Sequence, residues 1–329
     1  MLYPLLFEAN LFPIIWGGNR LIALKGMPPI DVPIGESWEI SAVKGKESIV
    51  ANGPLKGKNL RDLSWEYGSE LLGRTIDERY GSEFPILVKF IDTSNDLSIQ
   101  VHPDDSMAMR RHGCMGKTEM WYVVDALPDA YLYAGFSRDI TREEYRRMVE
   151  DDSICDVLAK HNISKGDAFY VPAGIVHALC RGTFVVEIQQ SSDITYRIYD
   201  YKRIGMDGKP RELHTSLAED VLDFSCHKEY SLDYTATENT SNVICNNRFF
   251  RIGLLPLTMP MRRDLRHYDS FIVYVCIQGE CIIGESTYLQ QGFSCLVPAV
   301  CADIFISPAQ EGAKVELLEI YLDNEDFNE

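Results

Sequence analysis

The sequence feature that best indicates the fold is the stretch Leu97-Ser98-Ile99-Gln100-Val101-His102-Pro103. Successive side chains of a β-strand point to opposite faces, so Ser98, Gln100 and His102 share one face and the apolar residues share the other. An ordinary core strand does not turn Gln and His toward the interior. We therefore predict that the polar face lines a cavity inside a β-barrel.

Two further stretches supply partners for this polar face. One runs from Gly166 through Pro172 and Gly174 to His177, and the other contains Lys117 and Glu119, two residues apart. Two imidazoles, a carboxylate and the amide oxygen of Gln100 form a credible site for a borderline metal, with one position left open for water or substrate. On an extended strand, Lys117 and Glu119 project to the same interior face.

Length and composition narrow the function. The chain has 329 residues, a hydrophobic content of 46% and a formal net charge of -17. This is enough apolar material for one large or two ordinary domains, and the charge disfavours binding to nucleic acids and to anionic membrane surfaces. The sequence has no apolar run of transmembrane length, and its start lacks signal-peptide features, so the cytoplasm is the expected location.

Helical periodicity occurs in two parts of the first half. Apolar residues recur at helical spacing over residues 59–80, with Gly73 as the expected stop after Leu72. A second helix is predicted over residues 140–161, beginning with a capping box at Thr141 and Glu144. The strand 84–92 is apolar except for Lys89 and the terminal Asp92. Lys89 either lies in a substrate pocket or extends to the surface, and Glu36 and Glu39 either face a cleft or lie on a solvated strand edge.

The second half looks like a degenerate copy of the first. Polar, irregular residues over 224–247 suggest a boundary, which gives a catalytic domain at 1–225 and a C-terminal domain at 240–329. A β-hairpin turning at Gly279 is predicted within residues 271–283. The spacing from Gly292 to Pro298 repeats that from Gly166 to Pro172, but no His follows Pro298, so this domain is expected to be free of metal.

The combined motifs resemble the type I mannose-6-phosphate isomerases in their shorter bacterial form, a family of the cupin superfamily. The resemblance rests on residues 16–18, 35–39, 100–103, 116–122, 172–178 and 187–197. It implies a mainly β bicupin, that is, two jelly-roll β-barrels, with a few helices inserted in and beside the N-terminal catalytic barrel. It also implies the interconversion of mannose 6-phosphate and fructose 6-phosphate by proton transfer between C1 and C2 through an enediol or enediolate.

The resemblance further implies the residues of the site. One zinc ion per chain would be held by Gln100, His102, Glu119 and His177. Arg197 would act at the reacting sugar, and Lys89 and Lys117 match lysines of the family's substrate pocket. A small sugar phosphate is thus the implied partner.

The catalytic and substrate-binding roles of individual residues, and the exact function, leave alternatives open. Arg197, Glu187 and Lys117 are the candidate catalytic residues, and Lys89, Lys117 and Arg197 the candidate substrate-binding residues. Glu187 is a candidate base, although a carboxylate on a barrel strand can also simply orient a ligand or pair with a lysine. Rival functions are a sugar-phosphate-binding bicupin without catalysis and an isomerase for a related aldose phosphate. An iron dioxygenase is disfavoured, because Gln100 stands where further His ligation is expected.

Overall fold

The computed structural model describes residues 1–322, which form mainly antiparallel β-strands in four sheets. The strands are β1 (Leu5–Leu6), β2 (Leu11–Gly18), β3 (Ile34–Ile40), β4 (Ile86–Asp92), β5 (Ile99–Val101), β6 (Glu119–Ala126), β7 (Tyr131–Phe136), β8 (Leu158–Asn162), β9 (Ala168–Val171), β10 (His177–Leu179), β11 (Thr183–Gln190), β12 (Tyr196–Tyr199), β13 (Asn242–Asn246), β14 (Arg251–Leu257), β15 (Met261–Asp264), β16 (Ile272–Gln278), β17 (Glu280–Ile283), β18 (Thr287–Gln290), β19 (Ser294–Val297), β20 (Asp303–Pro308) and β21 (Val315–Tyr321).

Short helices lie between the strands of the first half. They are α1 (Arg20–Leu24), α2 (Leu60–Tyr67), α3 (Ser69–Leu72), α4 (Arg74–Tyr80), α5 (Asp105–His112), α6 (Arg142–Glu150) and α7 (Thr215–Glu219). Single turns of 3-10 helix occupy Ile154–Val157, Arg266–Tyr268 and Ala299–Cys301. Over residues 1–322, the helices are all too short or too polar to span a membrane.

The first sandwich consists of a six-stranded and a five-stranded sheet. Their strand orders are β2-β3-β4-β11-β6-β9 and β12-β5-β10-β7-β8. Trp121 and Val185 of the larger sheet pack with Leu132 and Leu179 of the smaller one. The facing sheets therefore enclose an interior that is apolar at this end.

The second sandwich repeats this arrangement with different strands. Its sheets have the orders β1-β19-β16-β21-β14-β13 and β15-β20-β17-β18. β1 comes from the start of the chain, where Leu5 pairs with Leu296 of β19. The N-terminal residues thus tie the two sandwiches together, and the division at residues 225–240 stays a proposal.

The two six-stranded sheets pack against each other. Val88, Phe90 and Ile188 of the first sandwich share one buried cluster with Val273 and Ile320 of the second. β4 and β11 are therefore covered on both faces, which explains why their sequences are almost continuously apolar. The predicted mainly β architecture of two related halves with a few inserted helices is confirmed.

Both helix predictions need correction. The predicted stop at Gly73 is present, with a φ of 95°, but Gly68, with a φ of 45°, also interrupts the helical path, so residues 59–80 form α2, α3 and α4. The capping box of Thr141 and Glu144 is present, but α6 ends at Glu150. Asp152 follows with a φ of 62°, and residues 158–162 form β8, which pairs with β7. Pairing across the sheet thus outweighs helical periodicity there.

The predicted hairpin at Gly279 is also wrong. β16 and β17 flank this glycine, but β16 pairs with β19 and β21, whereas β17 pairs with β18 and β20. Gly279 has a φ of 77°, and a Cβ placed on it would lie 2.5 Å from the carbonyl oxygen of Lys314. The glycine therefore permits a close corner at which the chain crosses from one sheet to the other.

Candidate metal centre and active site

The five-stranded sheet contributes one wall of the site. In its antiparallel register, His177 on β10 and Arg197 on β12 both lie opposite Gln100 on the intervening strand β5. Register partners in adjacent strands have their side chains on the same face. Three residues that are far apart in the sequence are thus neighbours on one surface.

The six-stranded sheet supplies the facing wall. Glu187 on β11 lies opposite Lys89 on β4 and Trp121 on β6, and Gln189 lies opposite Glu119. Lys89 is 4% exposed, and its Nζ lies 3.1 Å from Oε1 of Glu187. Lys89 therefore lies inside the cavity and does not extend to the protein surface.

Three side chains form a compact buried cluster between these walls. The ligand atoms of His102, Glu119 and His177 all lie within 4.8 Å of one another. The two Nε2 atoms are 3.1 Å apart, and Oε1 of Glu119 lies 3.2 Å from Nε2 of His177. The amide nitrogen of Gln100 lies 3.4 Å from the same Nε2 atom, and rotation of the amide presents its oxygen instead.

The hydrogen bonds of the two rings fix their tautomers. Nδ1 of His102 lies 2.9 Å from the carbonyl oxygen of Ile194, and Nδ1 of His177 lies 2.8 Å from that of Ile175. A carbonyl accepts only from an N–H group, so both Nδ1 atoms carry the proton and both Nε2 atoms carry lone pairs. Burial, assisted by the charge of Lys117, lowers the pKa of both rings, to about 4 for His177, which keeps them neutral at neutral pH.

This arrangement fits a cation. Two lone pairs converge at 3.1 Å, and Oε1 of Glu119 is buried without a hydrogen-bond partner. Nζ of Lys117 lies 3.0 Å from Nε2 of His102 and also contacts Glu119, which partly meets the need for positive charge. Two neutral imidazoles and a carboxylate form the donor set of a divalent transition metal with open coordination positions.

Charges around the cluster are strongly coupled. Burial and the neighbouring Glu187 raise the pKa of Glu119, against the opposing effect of Lys117. Burial would also raise the pKa of Glu187, but the positive charges of Lys117 and Lys89 outweigh burial and lower it. Glu187 is therefore a carboxylate at neutral pH, with Oε2 accepting a hydrogen bond of 3.0 Å from the Trp121 indole.

A cavity of about 420 Å³ lies beside this cluster, because Gln100 and Lys117, which contact His177 and His102, line its wall. Five of its lining residues are cationic and three are acidic, although the whole chain carries a net charge of -17. The cationic ones are Lys46, Lys89, Lys117, Arg197 and Arg211. A local excess of positive charge in an acidic protein favours a small anionic ligand over a large anionic polymer.

Sequence reasoning left some cavity residues without a role. Glu36 lines the cavity, but Glu39 is buried elsewhere and accepts a hydrogen bond of 2.6 Å from Lys25. Lys46 and Asp193 also line the cavity and form an ion pair of 2.6 Å. Both lie outside the strands that carry the cluster, so strand periodicity gave no signal for them.

The fold and the donor set define a double β-sandwich protein of the cupin type with a candidate metal centre. A family model described as the catalytic domain of type I phosphomannose isomerase matches residues 6–127. Two curated relatives match nearly the whole chain. Mannose-6-phosphate isomerase ManA of Bacillus subtilis is 35% identical over 301 residues, covering 90% of this chain and 93% of the relative. The mannose-6-phosphate isomerase of Streptococcus mutans is 40% identical over 300 residues, covering 91% and 93%.

Solved structures agree with the sequence relatives. The crystal structure of mannose 6-phosphate isomerase from Bacillus subtilis superposes with a TM-score of 0.86 at 31% identity, covering 97% of this chain and 99% of that chain. The phosphomannose isomerase of Salmonella typhimurium, at 15% identity and a TM-score of 0.77, shares the fold. The chain belongs to the type I mannose-6-phosphate isomerase family, and it is an enzyme.

Proposed function

We propose that this enzyme interconverts mannose 6-phosphate and fructose 6-phosphate with one zinc ion per chain. The observation that carries the proposal is the buried cluster of His102, Glu119 and His177 beside a cavity that is rich in cationic side chains. The names of the relatives support the choice of substrate. Isomerisation of a related aldose phosphate is the alternative that uses the same residues.

Zinc is the proposed metal because of the donor set. A catalytic zinc site has three protein ligands of the His and carboxylate type and keeps a position open. His102, Glu119 and His177 supply such a set, and the amide oxygen of Gln100 is the proposed fourth ligand. When bound, zinc supplies Lewis-acid stabilisation of charge on the sugar oxygens.

Glu187 is the proposed proton acceptor. Its carboxylate is ionised at neutral pH because of Lys117 and Lys89, and its position is fixed by the contacts with Lys89 and Trp121. In the forward direction it would take the proton from C2 of the aldose, while the C1 carbonyl becomes an enediolate oxygen. Return of the proton to C1, transfer of the C2 hydroxyl proton to the C1 oxygen and formation of the C2 carbonyl complete the isomerisation.

Lys117 and Arg197 are proposed to stabilise the negative charge of the enediolate. The Nζ of Lys117 lies 3.9 Å from Oε1 of Glu187, so the cation is close to the proposed base. Nε of Arg197 donates to Oγ of Ser98 at 3.2 Å, and Nη1 donates to the carbonyl oxygen of Glu212 at 2.9 Å. These bonds hold the planar guanidinium at the cavity wall, where it needs little reorganisation to meet developing charge.

A coupled assay of mannose 6-phosphate conversion tests this proposal. Purified protein is assayed as isolated, after chelation and after zinc is added back, and bound metal is quantified at each stage. Activity that is lost with the chelator and restored by zinc is the expected result. A folded protein that carries one zinc ion per chain and converts neither mannose 6-phosphate nor other aldose phosphates would overturn the assignment and favour a binding protein.

A further inference from the structure

Lys46 stands apart from the other cations of the cavity. It lies in the turn between β3 and α2, and its side chain is 37% exposed, whereas Lys89 and Lys117 are each about 4% exposed as residues. Its backbone is fixed, because its N–H donates to Val43 at 2.9 Å and its carbonyl oxygen accepts from Asn10 at 3.2 Å. Lys46 is therefore a positioned cation close to solvent.

Trp38 connects this cation to the deep part of the cavity. The Nζ of Lys46 lies 4.5 Å from the centroid of the Trp38 ring, and the Nζ of Lys89 lies 4.8 Å from the same centroid. Trp38 is 1% exposed and also packs on Phe12, with ring centroids 4.9 Å apart. One rigid indole thus separates a buried lysine beside Glu187 from a half-exposed lysine near solvent.

Three of the other cavity cations already have carboxylate partners. Lys89 contacts Glu187 and Glu36, and Lys117 contacts Glu119. Arg211 donates to the buried Asp200, with Nε lying 2.7 Å from Oδ2. These cations neutralise buried carboxylates, and withdrawing them would leave those carboxylates unpaired at a high energetic cost.

The partner of Lys46 is easier to replace. Its ammonium lies 2.6 Å from Oδ2 of Asp193, whose side chain is 41% exposed. Ion pairs between exposed side chains contribute little to stability, so a dianion can displace the Asp193 carboxylate without leaving a buried charge behind. Asp193 then returns to water.

We propose that Lys46 binds the phosphate of the substrate, which replaces Asp193 as the ion-pair partner of this lysine. The inference rests on the proposed function, in which C1 and C2 react beside Glu187. The phosphate is on C6, at the other end of the carbon chain, and therefore belongs at the solvent end of the cavity. Lys46 has the charge, the exposure and the replaceable partner that this position requires.

The test compares Lys46→Met with Lys44→Met. Lys44 lies in the same turn but lines a neighbouring cavity with Arg61 and Arg79, so its variant makes the same change in charge outside the substrate cavity. We expect Lys46→Met to raise KM for mannose 6-phosphate and the inhibition constant of inorganic phosphate by about tenfold to a hundredfold, with kcat changed less than about threefold. Lys46→Arg should restore most of the affinity, and Lys44→Met should behave as wild type.

Direct binding separates this inference from the proposed reaction. Calorimetric titration with inorganic phosphate and with fructose 6-phosphate should show the same loss of affinity in Lys46→Met whether or not the protein turns over mannose 6-phosphate. Asp193→Asn removes the competing carboxylate and should strengthen binding of both ligands. Equal affinities in Lys46→Met and wild type, or a larger loss in Lys44→Met, would overturn the inference. A fall in kcat and thermal midpoint at unchanged affinity would instead assign Lys46 a structural role.

Discussion

Nε2 of His102 and Nε2 of His177 face each other at 3.1 Å, and both rings are held from behind by main-chain carbonyls. Neither ring can turn its N–H toward the other without losing its bond to Ile194 or Ile175. The two lone pairs repel each other unless a positive charge lies between or beside them. The folded site therefore depends on a cation.

Metal removal should lower stability as well as activity. A ligand that binds only the folded state stabilises it by about 2.7 kcal/mol when its concentration is a hundred times its dissociation constant. We expect chelation to lower the thermal midpoint of the wild type and to have little effect on His102→Ala, which lacks one of the proposed ligands. Scanning calorimetry with and without chelator measures both.

His227→Ala is the control for this experiment. His227 pairs with Asp223 at 2.7 Å on the surface, and its side chain is 48% exposed. The variant removes an imidazole away from the cluster, so it should respond to the chelator as the wild type does. If His102→Ala also retained the full response, the metal would be bound elsewhere.

Replacing Glu187 with Gln should separate catalysis from binding. The amide keeps the shape of the side chain but cannot accept the proton from C2, and loss of a general base costs about 10²-fold to 10⁴-fold in rate. We expect this loss in kcat, with KM changed much less. Steady-state kinetics on the folded variant provide the measurement.

Glu319→Gln provides a matched buried carboxylate for comparison. Glu319 is fully buried in the second sandwich, where Nε of Arg263 donates to it at 2.9 Å and the Tyr274 hydroxyl donates at 2.9 Å. This variant should lose stability but keep its kcat. A Glu187→Gln enzyme with nearly normal kcat would show that Glu187 only pairs with Lys89 and orients the site.

The sequence predicted the candidate metal ligands better than the chain connections around them. Gln100 and His102 alternate with apolar neighbours, and period-2 geometry alone places both side chains on the interior face. Their meeting with Glu119 and His177 depends on strand pairing, which spacing does not specify, and this part came from the resemblance to a known family.

Long-range contacts account for the wrong predictions. Residues 158–162 continue a helical pattern locally, but their pairing with β7 makes them a strand. The segments on either side of Gly279 have the pattern of a hairpin, yet the two sandwich layers separate them. Lys46 has no periodic signal, because its position near the cavity depends on a turn and on packing against Trp38.

The ion pair between Lys25 and Glu39 should stabilise the contact between the sandwiches. Its atoms lie 2.6 Å apart, both side chains are buried, and the ammonium also contacts the carbonyl oxygen of Gly292 in the second sandwich. Removing one member of a buried pair costs about 3 to 5 kcal/mol. We expect Lys25→Met to lower the free energy of unfolding in urea by this amount.

A double-mutant cycle isolates the pair. Lys25→Met combined with Glu39→Gln should cost less than the sum of the single variants, because neither leaves an unpaired charge in the other's presence. Lys58→Met is the control, since Lys58 forms a pair of 2.7 Å with Glu66 in which both side chains are about half exposed. That variant should leave the free energy of unfolding nearly unchanged. Additive effects in the cycle would contradict a direct interaction.

Buried thiols should make the protein lose stability at alkaline pH. Burial raises the pKa of Cys281 from 9.0 to about 12, so the folded state keeps a proton that the unfolded chain releases above pH 9. Between these pH values the folded state binds more protons than the unfolded chain. Its stability therefore falls as pH rises, by up to about 1.4 kcal/mol per pH unit for this thiol.

Cys281→Ala is expected to be less stable than the wild type at neutral pH because it loses packing, but its stability should decline less steeply above pH 9. Urea unfolding at several pH values measures the two slopes, and Cys226→Ala, at a partly exposed position, is the comparison for removing a thiol that is not fully buried. Identical slopes in Cys281→Ala and wild type would mean that the thiol ionises alike in both states.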